Sequence, residues 1–305
     1  MSSTINSKPD FLIVGAAKAG TTYLFNRLNE HPEVYIPKIK ECRFFSQLPK
    51  NFKGLGAEFF TNEGITNPQE YFDLFKHKEK YLCGDISNDY LYYYDRTIEN
   101  IKKYLSVNVK IVIILRNPVE RAYSNYMHHV RDGWENLSFE KALEAEKDRI
   151  KNNWGWSYHY FKAGLYYEQV KAYLDNFEKV KIILYDDLKN EKTINELFKF
   201  LNLDTIKKDT SINKYNVSGK PRSKFIHNIL TKNNRILRTI ARILRPITSN
   251  KIKSYFYDIQ QKLIHKNLIK EPLREDMRQQ TNQLYLSDIS NLEKLINRDL
   301  DKWRV

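Results

Sequence analysis

The sequence predicts an α/β protein in which a central, mostly parallel sheet lies inside a three-layer domain and gives way to a helical C-terminal part. Three observations lead there. Short apolar runs without period-two alternation recur as far as Tyr185, as strands covered on both faces require. Segments with helix-start signals separate those runs. From Lys224 onwards the strand-like runs stop.

The first run is Phe11-Leu-Ile-Val14, followed by a helix from Gly20 to Asn29. Asn67 and Pro68 form a cap and first-turn pair that opens the next helix. Tyr81 to Asp85 is a short strand, and Lys110 to Leu115 a strongly apolar one. Pro118 opens a helix running towards Arg131, and Ser138 caps another reaching about Asn152. After Gly164 come a helix from Leu165 to Phe177, a strand from Val180 to Tyr185 and a helix from Thr193 to Leu201. Ile229, Leu230, Ile236, Leu237, Ile240, Ile243 and Leu244 share a helical stripe with arginines interleaved. A last helix spans Leu273 to Asn297 and ends near Trp303. With no internal repeat and no Gly/Ser linker, 1–305 reads as one domain with residues 1–9 flexible, 224–305 mainly helical and 220–270 basic.

Composition narrows the class. Hydrophobic residues are 41% of the 305 and aromatic residues 13%, enough for a large core and too many for a disordered chain. No apolar run approaches the roughly 18 residues that span a bilayer, and the N-terminus lacks a signal-type apolar core. Cys42 and Cys83 are too few for a disulfide framework or a structural zinc site, and no His/Cys/Asp/Glu cluster has metal-ligand spacing. The expected setting is a reducing cytoplasm, with no metal. The net charge of +14 is concentrated, since 220–270 holds thirteen Lys/Arg against Asp258. Such asymmetry points to an anionic partner for that segment.

The stretch Phe11-Leu-Ile-Val-Gly-Ala-Ala-Lys-Ala-Gly-Thr-Thr22 has the strand–loop–helix form of a phosphate cradle. Gly15 and Gly20 keep P-loop spacing, but Thr21 stands where a Walker A lysine would reach the β- and γ-phosphates. The lysine lies inside the loop, at Lys18. A P-loop-like cradle therefore remains, with backbone N–H groups and the Thr21 and Thr22 hydroxyls facing an anion but no γ-phosphate reader. The strand Ile111 to Leu115 ends in Arg116, not in an Asp that would hold Mg²⁺. Arg116 thus sits where parallel sheets place their ligands, and Ser124 follows about two helical turns on. A third candidate is the loop Tyr215 to Lys224, with Gly219, Lys220, Arg222 and Ser223.

Taken together, Lys18-Ala19-Gly20-Thr21-Thr22, Lys38-Ile-Lys-Glu41-Cys-Arg-Phe44-Phe45, Arg116-Asn-Pro118 through Ser124, and Gly219 to Ser223 resemble the sulfotransferases that use 3′-phosphoadenylyl sulfate (PAPS). The likeness is closest to the glycan sulfotransferase branch and its bacterial relatives, and takes in Gly164-Leu-Tyr166 and Arg298 to Trp303. It implies that Lys18, Ala19, Gly20, Thr21 and Thr22 bind the 5′-phosphosulfate and that Arg116 and Ser124 bind the 3′-phosphate. Gly219, Lys220, Arg222 and Ser223 would close over the nucleotide. Glu41 is the implied base, its alternative being a surface glutamate paired with Lys40 or Arg43. Relatives often place a histidine where Arg43 stands, and an arginine cannot share base duty, so Arg43 is expected to meet an anionic acceptor. Asp85 is a further substrate-facing acid or a helix cap. Trp134, Trp154 and Trp156 would stack on a sugar or flat heterocycle, or fill the core. The acceptor would be a glycan or a small natural product, taking the group on a hydroxyl or an amine.

Two rival classes compete. A P-loop nucleotide kinase would need a lysine after Gly20 and a Mg²⁺-holding acid. A non-enzymatic anion binder would use 220–270 on nucleic acid or an acidic membrane surface. Tyr255, Phe256 and Tyr257 cluster instead of alternating with the cations, so no specific nucleic acid is expected.

Overall fold

The computed structural model describes residues 8–57, 64–206, 220–223, 263, 266–269 and 271–304. Its core is a five-stranded parallel sheet of β1 (Phe11–Gly15), β2 (Val34–Tyr35), β3 (Leu82–Ile86), β4 (Lys110–Leu115) and β5 (Val180–Leu184). The strand order is β2-β3-β1-β4-β5. Phe11 lies opposite Gly84 on one side and Lys110 on the other, which makes β1 the central strand, with the connection after β1 leaving towards β2 and the one after β4 leaving towards β5. Every residue of β1, and all of β4 after Lys110, is buried. Both faces of those strands are therefore covered, as their uninterrupted apolar runs require.

The helices among the described residues are α1 (Thr21–Asn29), α2 (Pro68–Asp73), α3 (Tyr94–Tyr104), α4 (Pro118–Asp132), α5 (Phe139–Glu144), α6 (Glu146–Lys151), α7 (Tyr166–Asn176), α8 (Glu191–Leu201) and α9 (Glu275–Ile296). Local chemistry sets several starts. The Asn67 side chain accepts from the N–H groups of Gln69 and Glu70 at the head of α2, and Asn117 does the same for Val119 and Glu120 in α4. In both, proline follows the cap, where its missing N–H costs nothing. The expected helix from Ser138 is broken at Ala145 into α5 and α6.

The C-terminal helix belongs to the same unit. α9 packs on α7 and α4, and the Asp288 carboxylate accepts from the N–H groups of Tyr166 and Tyr167 (2.8 and 3.1 Å), capping α7 from outside. The Tyr285 hydroxyl donates to the Phe161 carbonyl at 3.0 Å. Strands do not end at Lys224. A short β7 (Leu268–Ile269) pairs antiparallel with β6 (Lys220–Pro221), and β6 packs against α4. Two residues amid cations carry no apolar run, so the pairing left no pattern to read. The rest of the basic stretch, with Arg235, Arg238, Arg242, Arg245 and Tyr255 to Tyr257, and Gly219 before it, lies outside the described residues. Cys42 and Cys83 are buried free thiols. Among the described residues no helix is long and apolar enough to cross a membrane.

Candidate active site

The carboxyl ends of β1, β3 and β4 converge, as expected where a parallel sheet changes its direction of winding. From β1 the chain enters the loop Gly15 to Gly20 and then α1. Gly20 is left-handed (φ 101°) and caps α1 without a side chain, and no acid stands in the helix's first turn. The helix N-terminus therefore turns its N–H groups and positive dipole end towards the loop mouth. A Cβ on Gly20 would lie 2.5 Å from Leu188 Cδ1 and 3.2 Å from Tyr185, so the helix start fits under the turn after β5 only with glycine there. Lys18 is also left-handed (φ 67°), a conformation costing a non-glycine residue of order 1 kcal/mol.

Arg116, at the end of β4, ties this loop down. Its Nη1 donates to the Lys18 carbonyl at 3.1 Å, its guanidinium lies 4.7 Å from the Tyr185 ring centre, and Nη2 is 3.5 Å from Glu120. Lys18 is half-buried, and burial pushes its amino group down to about 7. Arg131 and Arg116 add to the effect by repulsion, against the opposing pull of Asp132 and Glu41. A lysine crowded by two guanidiniums at an open helix N-terminus is an arrangement short of negative charge, and an anion would supply it.

The strand end of β3 supports the third side. The Glu41 N–H donates to the Ile86 carbonyl (3.0 Å), and the Arg43 N–H to Ser87 Oγ (3.1 Å). Both residues are left-handed, at φ 66° and 55°. Glu41 Oε1 accepts from Asn88 Nδ2 at 2.8 Å, and Oε2 lies 3.4 Å from Arg43 Nη2. Lys40 Nζ donates to Thr22 Oγ1 at 2.6 Å, which joins the Glu41 segment to α1.

Several expected residues stand elsewhere than the sequence suggested. Arg43 is only 4% exposed and turns inward onto Glu41, so it has no surface to offer an acceptor. Asp85 is buried, accepting from Tyr71 Oη (2.9 Å), Tyr90 Oη (2.8 Å) and Ser87 Oγ (3.3 Å), and burial raises its carboxyl to about 6. It is neither substrate-facing nor a helix cap. Trp156 is buried and stacks on Tyr92 (centroids 5.7 Å apart), filling the core. Trp134 and Trp154 are half-buried over Gly56 and Gly54, where a Cβ would come within 2.6 and 2.5 Å of the indoles. Ser124 is half-buried in the second turn of α4. Arg222 and Ser223 follow β6, which packs against that helix; Asn267 holds them by accepting the Arg222 N–H on its carbonyl (2.6 Å) and the Ser223 N–H on Oδ1 (3.1 Å).

His128, Arg131 and Asp132 were not anticipated. His128 Nδ1 is 3.2 Å from Asp132 Oδ2, Arg131 Nη2 donates to His128 Nε2 at 2.9 Å, and Arg131 Nε to Asp132 Oδ1 at 2.8 Å. Burial and the nearby Lys18 charge hold the His128 imidazole well below its ordinary range, hence neutral at pH 7. A signal existed: Ser124, His128 and Arg131 fall at i, i+4 and i+7, one stripe of α4.

A family model described as the sulfotransferase domain matches residues 8–267. Carbohydrate sulfotransferase 15 of Mus musculus is 25% identical over 246 residues, covering 64% of this chain and 44% of that protein. Bifunctional heparan sulfate N-deacetylase/N-sulfotransferase 2 of Homo sapiens is 30% identical over 141 residues, 43% of this chain and 14% of that protein. The chain thus spans less than half the length of these curated relatives. A crystal structure of a sulfotransferase from Alicyclobacillus acidocaldarius matches at TM-score 0.73 and 31% identity, covering 98% of this chain and 100% of that one. The parallel sheet, the lysine-bearing cradle and a match running most of the chain's length agree, and the chain belongs to the sulfotransferase domain family.

Proposed function

We propose that this chain transfers the sulfuryl group of PAPS to a hydroxyl or amine of an acceptor, with Lys18 and Glu41 as its catalytic residues. The observation that carries the reading is the setting of Lys18: an uncapped helix N-terminus on one side, Arg116 and Arg131 on the other. The donor set fits two separate anionic groups. Lys18, Ala19, Gly20, Thr21 and Thr22 would hold the 5′-phosphosulfate, and Arg116 with Ser124 the 3′-phosphate. Gly219, Lys220, Arg222 and Ser223 would close over the nucleotide from the β6 side. Bound there, PAPS supplies a sulfuryl group whose S–O bond to the 5′-phosphate breaks as the acceptor atom's bond to sulfur forms, leaving adenosine 3′,5′-bisphosphate.

The chain's own residues supply charge and a proton acceptor. Lys18 Nζ, protonated, donates to the phosphate oxygen on which negative charge develops, an interaction stronger in the transition state than before it. Glu41 takes the proton the acceptor loses on one carboxylate oxygen. Asn88 and Arg43 fix that carboxylate's rotation. No residue needs to bind Mg²⁺ for this to work. The named activities of carbohydrate sulfotransferase 15 and the heparan sulfate N-sulfotransferase support a glycan acceptor, with a small natural product as the alternative.

Ligand-induced stabilisation tests the reading. Adenosine 3′,5′-bisphosphate at 100 times its Kd should raise stability by about 2.7 kcal/mol, seen as a higher Tm, while ATP with Mg²⁺ should leave it near that of the free protein. The reverse preference would identify a kinase-type site instead.

A further inference from the structure

The arginine expected at the nucleotide's 3′-phosphate already has a carboxylate beside it. Glu120 stands in the first turn of α4, and its Oε2 is 3.5 Å from Arg116 Nη2. Glu120 and Ser124 are four residues apart and so share a face of that helix. An anion seated between Arg116 and Ser124 therefore meets a negative charge on the same face, and the two repel. A second cation answers that carboxylate. Arg278, on α9, donates from Nη1 to Glu120 Oε1, and its Nε lies 3.5 Å from Glu275 Oε2. Glu120 thus bridges two arginines, one from the end of β4 and one from the C-terminal helix. The side chains of Arg116, Glu120 and Arg278 are 21%, 34% and 25% exposed, so salt screens their interactions less than those of fully exposed pairs.

We propose that Glu120 and Arg278 are positioning residues that set how tightly the nucleotide's 3′-phosphate is held. Glu120 weakens the grip of Arg116, and Arg278 limits that loss by taking up the carboxylate's charge. The inference rests on the reading of Arg116 and Ser124 as the 3′-phosphate ligands. Arg116 Nη1 is committed to the Lys18 carbonyl and the face of its guanidinium to Tyr185, so Glu120 competes with the phosphate for Nη2. The fold itself fixes where Glu120 stands. Asn117 accepts the Glu120 N–H at 3.2 Å, and α9 packs on α4, which holds Arg278 opposite. Such a counter-ion matters most for adenosine 3′,5′-bisphosphate, the product that must leave before another turnover begins. An acid in the first turn also suits the helix dipole, but that benefit is the same whether or not the nucleotide carries a 3′-phosphate.

Calorimetry with adenosine 3′,5′-bisphosphate and with 5′-AMP isolates the effect, because the two nucleotides differ only in the 3′-phosphate. The quantity read is the ratio of their Kd values. Arg278→Gln leaves the Glu120 charge facing the phosphate uncompensated, so the preference for the bisphosphate should fall about 5- to 10-fold with 5′-AMP binding little changed. Glu120→Gln keeps the side chain's size and should raise the preference by a similar factor. In the double variant the preference should recover to at least the wild-type value, which a mere loss of α9 packing would not allow. If Arg278→Gln does not fold, Glu120→Gln decides alone. A preference unmoved by either single variant, lowered by Glu120→Gln, or still depressed in the double variant overturns the proposal. A wild type that binds both nucleotides equally removes Arg116 and Ser124 as 3′-phosphate ligands, and the proposal with them.

Discussion

Lys18 carries two demands that pull against each other. In the proposed mechanism it must be protonated to stabilise a departing phosphate, yet burial and the neighbouring Arg131 and Arg116 bring its free-state value down to about 7 from an ordinary 10.5. The sign follows directly. In the free protein the folded state gives up this proton more easily than the unfolded chain, so Lys18 disfavours folding below about pH 7 and that penalty fades as the pH rises towards 10.5. In the proposed complex, a bound phosphosulfate or bisphosphate would reverse the imbalance by supplying opposite charge. Binding of adenosine 3′,5′-bisphosphate at about pH 8.5 should therefore take up close to one proton. Calorimetry in buffers of different ionisation enthalpy measures it, and Lys18→Ala should abolish the uptake along with much of the affinity. An uptake that persists in the variant would assign the proton to another group.

Secondary-structure elements place that residue, and some of them were plain in the chain. Lys110 to Leu115 was legible to the residue, because a strand buried on both faces must be apolar throughout. α2 was legible from an asparagine cap followed by proline, and α4 from Pro118. β2 was not, for two residues carry no period, and α3 was not, since only Thr97, Ile98 and Ile101 of its eleven residues are buried. The site divides in the same way. Lys18, Glu41 and Arg116 lie in local motifs whose spacing reports their surroundings. Arg43 and Asp85 were misjudged, and Trp156 was left open between a ligand face and the core, because a sequence does not say which way a side chain faces; Asn88 and Arg131 meet the site only through tertiary packing. The α1 start offers the test at this scale. Gly20→Ala would force a side chain into a left-handed position against Leu188 and Tyr185. It should cost about 1–3 kcal/mol of stability in thermal melts and weaken bisphosphate binding, because the loop and the helix N-terminus can no longer meet at the same angle.

At the scale of the whole molecule, strand order β2-β3-β1-β4-β5 gathers residues from three strand ends into one place, and α9 locks α4 and α7 from behind. The same packing buries carboxylates, and that leaves a pH signature. Asp85 and Asp89 are both raised by burial from 3.8 to about 6, so their contribution to stability is present below about 3.8 and is lost as the pH rises through about 6. Asp89→Asn should therefore gain Tm relative to wild type at about pH 7 more than at about pH 4.5; equal differences at both would show that the residue does not titrate on folding. Sulfuryl transfer itself is tested most directly by supplying ³⁵S-labelled PAPS with an N-desulfated heparan oligosaccharide and comparing wild type with Lys18→Ala. Wild type should place label in the oligosaccharide, and Lys18→Ala should show a kcat lower by about 10²–10³ with a Tm no lower than wild type. Near-normal transfer by Lys18→Ala would contradict it.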